Sequence, residues 1–142
     1  MKISAKTEYA SIAMLELAAS YGSGEPVRIR SIADEHGIPS RFLVQILLQL
    51  KGAGFVTSTR GASGGYQLVK APEEISLAEV MQVIDGAEEP IVSSASPDSV
   101  AGKVLRAAWQ EVADVEQEML RSITFAELIE RSQKQAENMY YI

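Results

Sequence analysis

The residue types available for chemistry are restricted from the outset. The chain has no cysteine and a single histidine, His36. Disulfides, thiolate-held zinc, thiolate-held iron–sulfur clusters and cysteine nucleophiles are excluded, as is a multi-histidine metal site within one chain. No nucleophile elbow and no metal-ligand spacing occurs. Gly64-Gly65 is followed by neither Lys-Ser/Thr nor a helix start, so it is not a phosphate loop. Little is left for catalysis, and neither an enzymatic reaction nor a cofactor is expected. His36 reads as a helix-end residue suited to the dipole there.

The remaining chemistry is that of recognising a phosphate polymer. Residues 28–70 hold six basic and two acidic side chains. Within Arg60-Gly61-Ala62-Ser63-Gly64-Gly65, small neighbours would let the Arg60 guanidinium enter a narrow minor groove. Ser40, Arg41, Val44 and Gln45 fall on one exposed side of a predicted helix. Gln45 is suited to a bidentate pair with adenine, and Arg41 to guanine or a phosphate. Lys2, Arg28, Gly61 and Ser63 complete the candidate DNA contacts. The plain alternative for each is a solvated surface residue.

The chain that must position them has 142 residues, enough for one domain or one domain plus a short appended element. Hydrophobic residues make up 46% and charged residues 23%, a globular balance; one Trp, five Tyr and three Phe leave a mostly aliphatic core. A net charge of −6 argues against nucleic acid for the chain as a whole. The charge is unevenly placed, however. Residues 1–70 carry eight Lys+Arg against five Asp+Glu, a net of +3, whereas residues 71–142 carry five against fourteen, a net of −9. A basic front and an acidic back suit a protein that meets an anionic polymer at one end; chance asymmetry is the alternative. No apolar run approaches the roughly 18 residues of a membrane helix. Glu8 and Glu16 interrupt any signal-peptide core, so a cytoplasmic location is expected.

Apolar spacing predicts a helix over Ile3–Tyr21, ended by Gly22-Ser23-Gly24-Glu25-Pro26. Val27-Arg28-Ile29 is either a short strand or the lead into a helix over Ile29–His36. Gly37 then supplies a left-handed stop. Pro39-Ser40 opens a helix to Lys51 that turns Phe42, Leu43, Ile46, Leu47 and Leu50 to one side. Phe55–Thr59 and Tyr66–Val69 flank the glycine-rich tip and read as a hairpin. Ser76-Leu77-Ala78-Glu79 is a capping box, and it opens a helix that Gly86 stops. A loop to Ser99 follows. A long helix from about Asp98 to Ile123 carries Leu105, Ala108, Val112, Val115 and Met119 at heptad spacing. Thr124-Phe125-Ala126-Glu127 caps a last helix with Leu128 and Ile129 inward.

Two short helices around a glycine turn, then a hairpin, is the order of a winged helix-turn-helix. The predicted fold is mainly α with a small β-hairpin wing, a winged helix-turn-helix plus a long C-terminal dimerisation helix. The expected division is a DNA-binding domain over 1–86, an effector-type loop over 87–99, and dimerisation and C-terminal helices over 100–142. The heptad seam would join two copies and set paired recognition helices about 34–36 Å apart, one DNA turn. The alternative is a seam packed on its own domain, with Trp109 beside it.

The sequence resembles the Rrf-two family of bacterial dimeric winged-helix regulators. The match is carried by Met1-Lys2-Ile3-Ser4-Ala5-Lys6-Thr7-Glu8-Tyr9-Ala10, Ile32-Ala33, Leu43-Val44-Gln45-Ile46-Leu47, Arg60-Gly61-Ala62-Ser63-Gly64-Gly65-Tyr66-Gln67-Leu68, Ala108-Trp109 and Ile123-Thr124-Phe125-Ala126-Glu127-Leu128. The resemblance implies DNA reading by Ser40, Arg41, Gln45 and Arg60. Val44 stands where the iron–sulfur members commonly have a glutamate, so their operator cannot be assumed here. Cluster-bearing members place three cysteines in the stretch that here runs Gly86–Lys103, and Arg106 lies near the position of a histidine ligand. A family-type cluster is not expected.

The C-terminus, Asn138-Met139-Tyr140-Tyr141-Ile142, is similar to that of the family's cysteine-metabolism repressors. That likeness implies cysteine synthase as a partner of Tyr140, Tyr141 and Ile142. A terminal carboxylate can be clamped by backbone N–H groups while isoleucine fills an apolar pocket; a packed or frayed tail is the alternative. The expected function is a homodimeric DNA-binding regulator acting as a repressor, with control of sulfur metabolism through a partner. The rival expectation is a winged-helix protein-interaction module that binds no DNA.

Overall fold

The computed structural model describes residues 1–140. Its helices are α1 (Ala5–Ala19), α2 (Ile29–His36), α3 (Ser40–Gly52), α4 (Leu77–Asp85), α5 (Val100–Ser122) and α6 (Phe125–Tyr140). Between α3 and α4 stand an antiparallel hairpin, β1 (Val56–Thr59) with β2 (Gly65–Leu68), and a 3-10 turn, Pro72–Glu74. The architecture is mainly α with a small β wing, as predicted.

Helix α1 is the centre of the core. Ala10, Ala13, Met14, Leu17 and Ala18 are buried on it, and α3, α4 and α6 pack around it. Alanines at these positions let neighbouring helices approach closely. The helix is two residues shorter at each end than apolar spacing suggests, since Ile3 and Tyr21 are both 47% exposed. Its start is fixed by polar chemistry instead. The Ser4 hydroxyl oxygen accepts the Thr7 N–H at 3.1 Å. The Ser4 hydroxyl also donates to the Asp85 carboxylate at 3.1 Å. The buried Thr7 hydroxyl donates to the same carboxylate. Asp85 ends α4, so one acidic side chain joins that helix to the electropositive start of α1.

The α2–α3 turn forms as the sequence predicts. Gly37 adopts φ 66°, and the Ile38 N–H reaches back to the Ala33 carbonyl at 3.0 Å. Buried Ala33 and Ile38 fill the angle between the helices. Helix α3 buries Leu43, Ile46, Leu47 and Leu50. Phe42 is a correction: it is 41% exposed. At about 100° per residue it lies off the stripe centred on Leu43. Its ring instead packs 6.3 Å from Tyr9 and beneath the Arg41 guanidinium, 5.0 Å away.

Both capping serine and threonine oxygens work as expected, at 3.2 Å from the Glu79 and Glu127 N–H groups. The reciprocal carboxylate bond of the first box is missing: one Glu79 oxygen is buried without a partner among the described residues. The neighbouring backbone pairs elsewhere. The Leu77 N–H donates to Ile123 and the Phe125 N–H donates to Ile75, both at 3.0 Å. Phe125, which the sequence suggests only as filler in a capping box, is fully buried. Leu128 and Ile129 lie against the same core, as predicted. Helix α5 stands apart from it, with Leu120 as its one buried residue. Replacing Phe125 with Ala should therefore cost about 3–5 kcal/mol in urea unfolding. A loss below about 1 kcal/mol would mean that α6 is not part of the core.

Candidate nucleic-acid interface

The wing is built from three segments. Val56 pairs with Leu68 at its buried root, and Thr59 pairs with Gly65 next to the tip. Val27 adds a third rung, exchanging two backbone hydrogen bonds with Tyr66 at 2.8 Å. This settles the open choice at 27–29: one bridge residue leads directly into α2. Exposed Arg28 is thereby held beside the wing's root. Two glycines are obligatory here. A Cβ on Gly64 would run into the Thr59 carbonyl, and one on Gly65, at φ 152°, into the carbonyl of Val27. The tip closes as the Gly64 N–H donates to Gly61 at 3.0 Å, and Arg60, Gly61 and Ser63 are all exposed on it. The Lys51 ammonium donates to Ser58 at 2.8 Å and links the end of α3 to the wing.

Opposite its buried stripe, α3 presents Ser40, Arg41, Val44 and Gln45 to solvent. This is the outward face expected of a recognition helix. Two exposed residues on neighbouring surfaces escaped sequence reasoning. Leu48 is 55% exposed, one turn beyond Val44; it belongs to neither the inward set nor the contact set read from the sequence, though its i+4 spacing from Val44 was available. Arg30 is exposed on α2, the helix that crosses the DNA backbone in this fold. Among the described residues, none of Arg28, Arg30, Arg41, Lys51, Arg60 and Lys70 makes an ion pair. Their positive charge is left for an external anion.

Lys2 is placed differently. It lines a cleft of about 790 Å³ with Glu73, Glu74, Glu79, Asp85 and Glu116, an acidic setting. The α5 residues Leu105, Ala108, Val112, Val115 and Met119 are all exposed in the single chain, as is Trp109 at 58%. The seam does not pack on its own domain, so that alternative is removed. In the tail, Tyr140 ends α6, while Tyr141 and Ile142 lie outside the described residues.

Known proteins share this arrangement. The family described as Rrf2, iron-dependent transcriptional regulator, matches residues 3–131. The HTH-type transcriptional regulator CymR of Bacillus subtilis is 34% identical over the full length of both chains. Its relative IscR of Cronobacter sakazakii is 31% identical over 91% of this chain and 80% of that one. Among solved structures, the global cysteine regulator CymR of B. subtilis superposes with a TM-score of 0.81 at 34% identity, covering 92% of this chain and 98% of that one. IscR of T. potens superposes at 0.77 with 32% identity, covering 95% and 90%.

An iron–sulfur cluster, one form that the iron in that family description could take, finds no thiolate ligands in this chain. The chain has no thiol, and the 86–103 stretch offers serine hydroxyls. Those of Ser93 and Ser99 already accept backbone N–H groups at 3.2 and 3.1 Å. Hydroxyls are poor substitutes for thiolates in holding an iron–sulfur cluster.

The glycine rule of the wing is directly testable. Gly65→Ala should lower stability by about 1–3 kcal/mol through backbone strain. The Val27 and Tyr66 amides should exchange with solvent faster than in the parent. Unchanged exchange at both would show that the third rung does not hold the wing.

Proposed function

Because the chain belongs to the Rrf2 family of transcriptional regulators, we propose that it represses transcription by occupying a two-fold symmetric operator as a homodimer. The observation that carries the reading is the set of unpaired cations on α2, α3 and the wing, beside the outward polar face of α3. In this reading α3 enters the major groove, with Gln45 and Arg41 on base edges and Val44 against a thymine methyl. Arg60 enters the adjacent minor groove, and Arg28 and Ser63 hold phosphates. Lys2, in its acidic setting, is the weakest of the candidate contacts. The division of labour is a reading head over 1–86, a connecting loop over 87–99 and a pairing segment over 100–142. A regulator of this kind works in the cytoplasm and catalyses no reaction.

The exposed seam supports pairing of two chains. A two-fold interface requires that if one residue touches a second, the second touches the first. Leu105, Val112 and Met119 are evenly spaced about Val112. An antiparallel pair of α5 helices would put Val112 on the axis and Leu105 against the partner's Met119. It would also bring Arg106 near the partner's Glu118, whereas a parallel pair would oppose like charges. The CymR likeness, over the whole of both chains, supports control of cysteine metabolism, with cysteine synthase engaging Tyr140, Tyr141 and Ile142.

The test is to sequence the host genomic fragments that the purified protein retains at moderate salt. A two-fold symmetric site should be enriched, and the genes beside it should include those of sulfur assimilation. On that site, Arg60→Ala should lose about 1–3 kcal/mol of binding, roughly 5- to 150-fold, and flatten the salt dependence by about one unit of slope. Equal affinity and slope for parent and variant would favour a winged module that contacts protein. Separately, Val112→Glu should sediment as a single chain, because two carboxylates would meet on the axis out of water. An intact dimer would put the interface elsewhere.

A further inference from the structure

We propose that Glu16, Glu35 and His36 form a binding site for one divalent transition-metal ion where α1 meets the end of α2. His36 Nε2 lies 2.9 Å from Oε1 of Glu16 and 3.8 Å from Oε2 of Glu35. All three ligand atoms fall within 4.8 Å of one another. Ligands bound at about 2.1 Å to a common ion are separated by roughly 3.0–3.4 Å. The His36–Glu16 separation of 2.9 Å is close to this, while Glu35, at 3.8 Å from His36, must rotate inward to join the same ion. Neither carboxylate is anchored elsewhere: among the described residues each pairs only with His36.

Charge points the same way. Two carboxylates and a neutral imidazole make a ligand set of net charge −2, and among the described residues no lysine or arginine forms an ion pair with either carboxylate. A divalent cation neutralises it, taking the place of the hydrogen between Nε2 and Glu16. One nitrogen and two oxygens suit Zn²⁺, Mn²⁺ or Fe²⁺ as single ions and do not suit a sulfur-bound cluster. The histidine and Glu16 side chains are 28% and 31% exposed and Glu35 is 62% exposed, so water can complete the coordination shell.

Glu16 belongs to α1, and Glu35 and His36 are the last two residues of α2, directly before Gly37. A bound ion would cross-link the central helix to the turn that aims α3. The site uses no residue of the wing, of the outward face of α3 or of the α5 seam.

The experiment is a calorimetric titration of the untagged full-length chain with zinc chloride, the chain's single histidine keeping the background low. One ion per chain should bind. Glu16→Gln and His36→Gln should each weaken binding at least about 10-fold, the scale seen even when only a residue hydrogen-bonded to a metal ligand is changed. Zinc should raise the melting temperature of the parent and of neither variant. Both variants should melt near the parent temperature without zinc, showing that lost binding is not lost folding. No heat of binding in the parent would overturn the site, as would undiminished binding in Glu16→Gln and His36→Gln.

Discussion

Two backbone hydrogen bonds, Leu77 to Ile123 and Phe125 to Ile75, determine how the two ends of this chain are related. They act as a one-rung antiparallel sheet between the start of α4 and the α5–α6 junction. Helix α5 has almost no other hold on the core, with Leu120 alone buried, so its direction is set at its last turn. Phe125 locks the rung by filling the core directly behind it. The arrangement works as a lever with a fixed root. From that root, α4 leads to the central helix, the Asp85 carboxylate holding α4 to the start of α1. Beside the rung the capping box is only half made, with the Ser76 hydroxyl bonded to the Glu79 N–H and one Glu79 carboxylate oxygen buried without a partner among the described residues.

The charge distribution complements this mechanical one. The chain is anionic overall, yet six of its thirteen lysines and arginines fall within residues 28–70, on and beside α2, α3 and the wing, and among the described residues none of those six makes an ion pair. A duplex would repel most of this molecule and attract one side of it, which orients the encounter before any base is touched. Arg41 shows how the side chains are kept ready. Its guanidinium rests on the Phe42 ring, so part of its conformational freedom is already surrendered. Phe42, which helical geometry leaves off the buried stripe, supplies this support.

Much of the fold was legible in sequence because single residues dictate their own backbone. Gly37 fixed the α2–α3 turn, and the glycine-rich tip fixed the wing. Buried stripes gave α3, α4 and α6. Less legible was whatever depends on partners distant in the chain. Val27 becomes a strand residue only because Tyr66 is there to pair with it, and no propensity of Val27-Arg28-Ile29 could decide that. Phe125 sits in a motif whose local meaning, a helix start, masked its burial. The ends of α1 were misread because apolar Ile3 and Tyr21 continue the pattern into solvent. The outward residues of α3 were visible as the complement of its buried face. The acidic surroundings of Lys2 were not, because a residue ahead of the first helix has no periodicity to place it. The Glu16–Glu35–His36 convergence joins residues of two helices, and nothing in linear spacing announces it.

The bare α5 seam has a quantitative consequence for the cell. If two chains pair over Val112, Val115 and Met119 as proposed, the assembled form grows in proportion to the square of the chain's concentration when it is scarce. Halving the supply of such a chain removes three quarters of the assembled form. Synthesis rate and proteolysis of the unpaired chain then become control inputs in their own right, sharper than linear, without any ligand or modification.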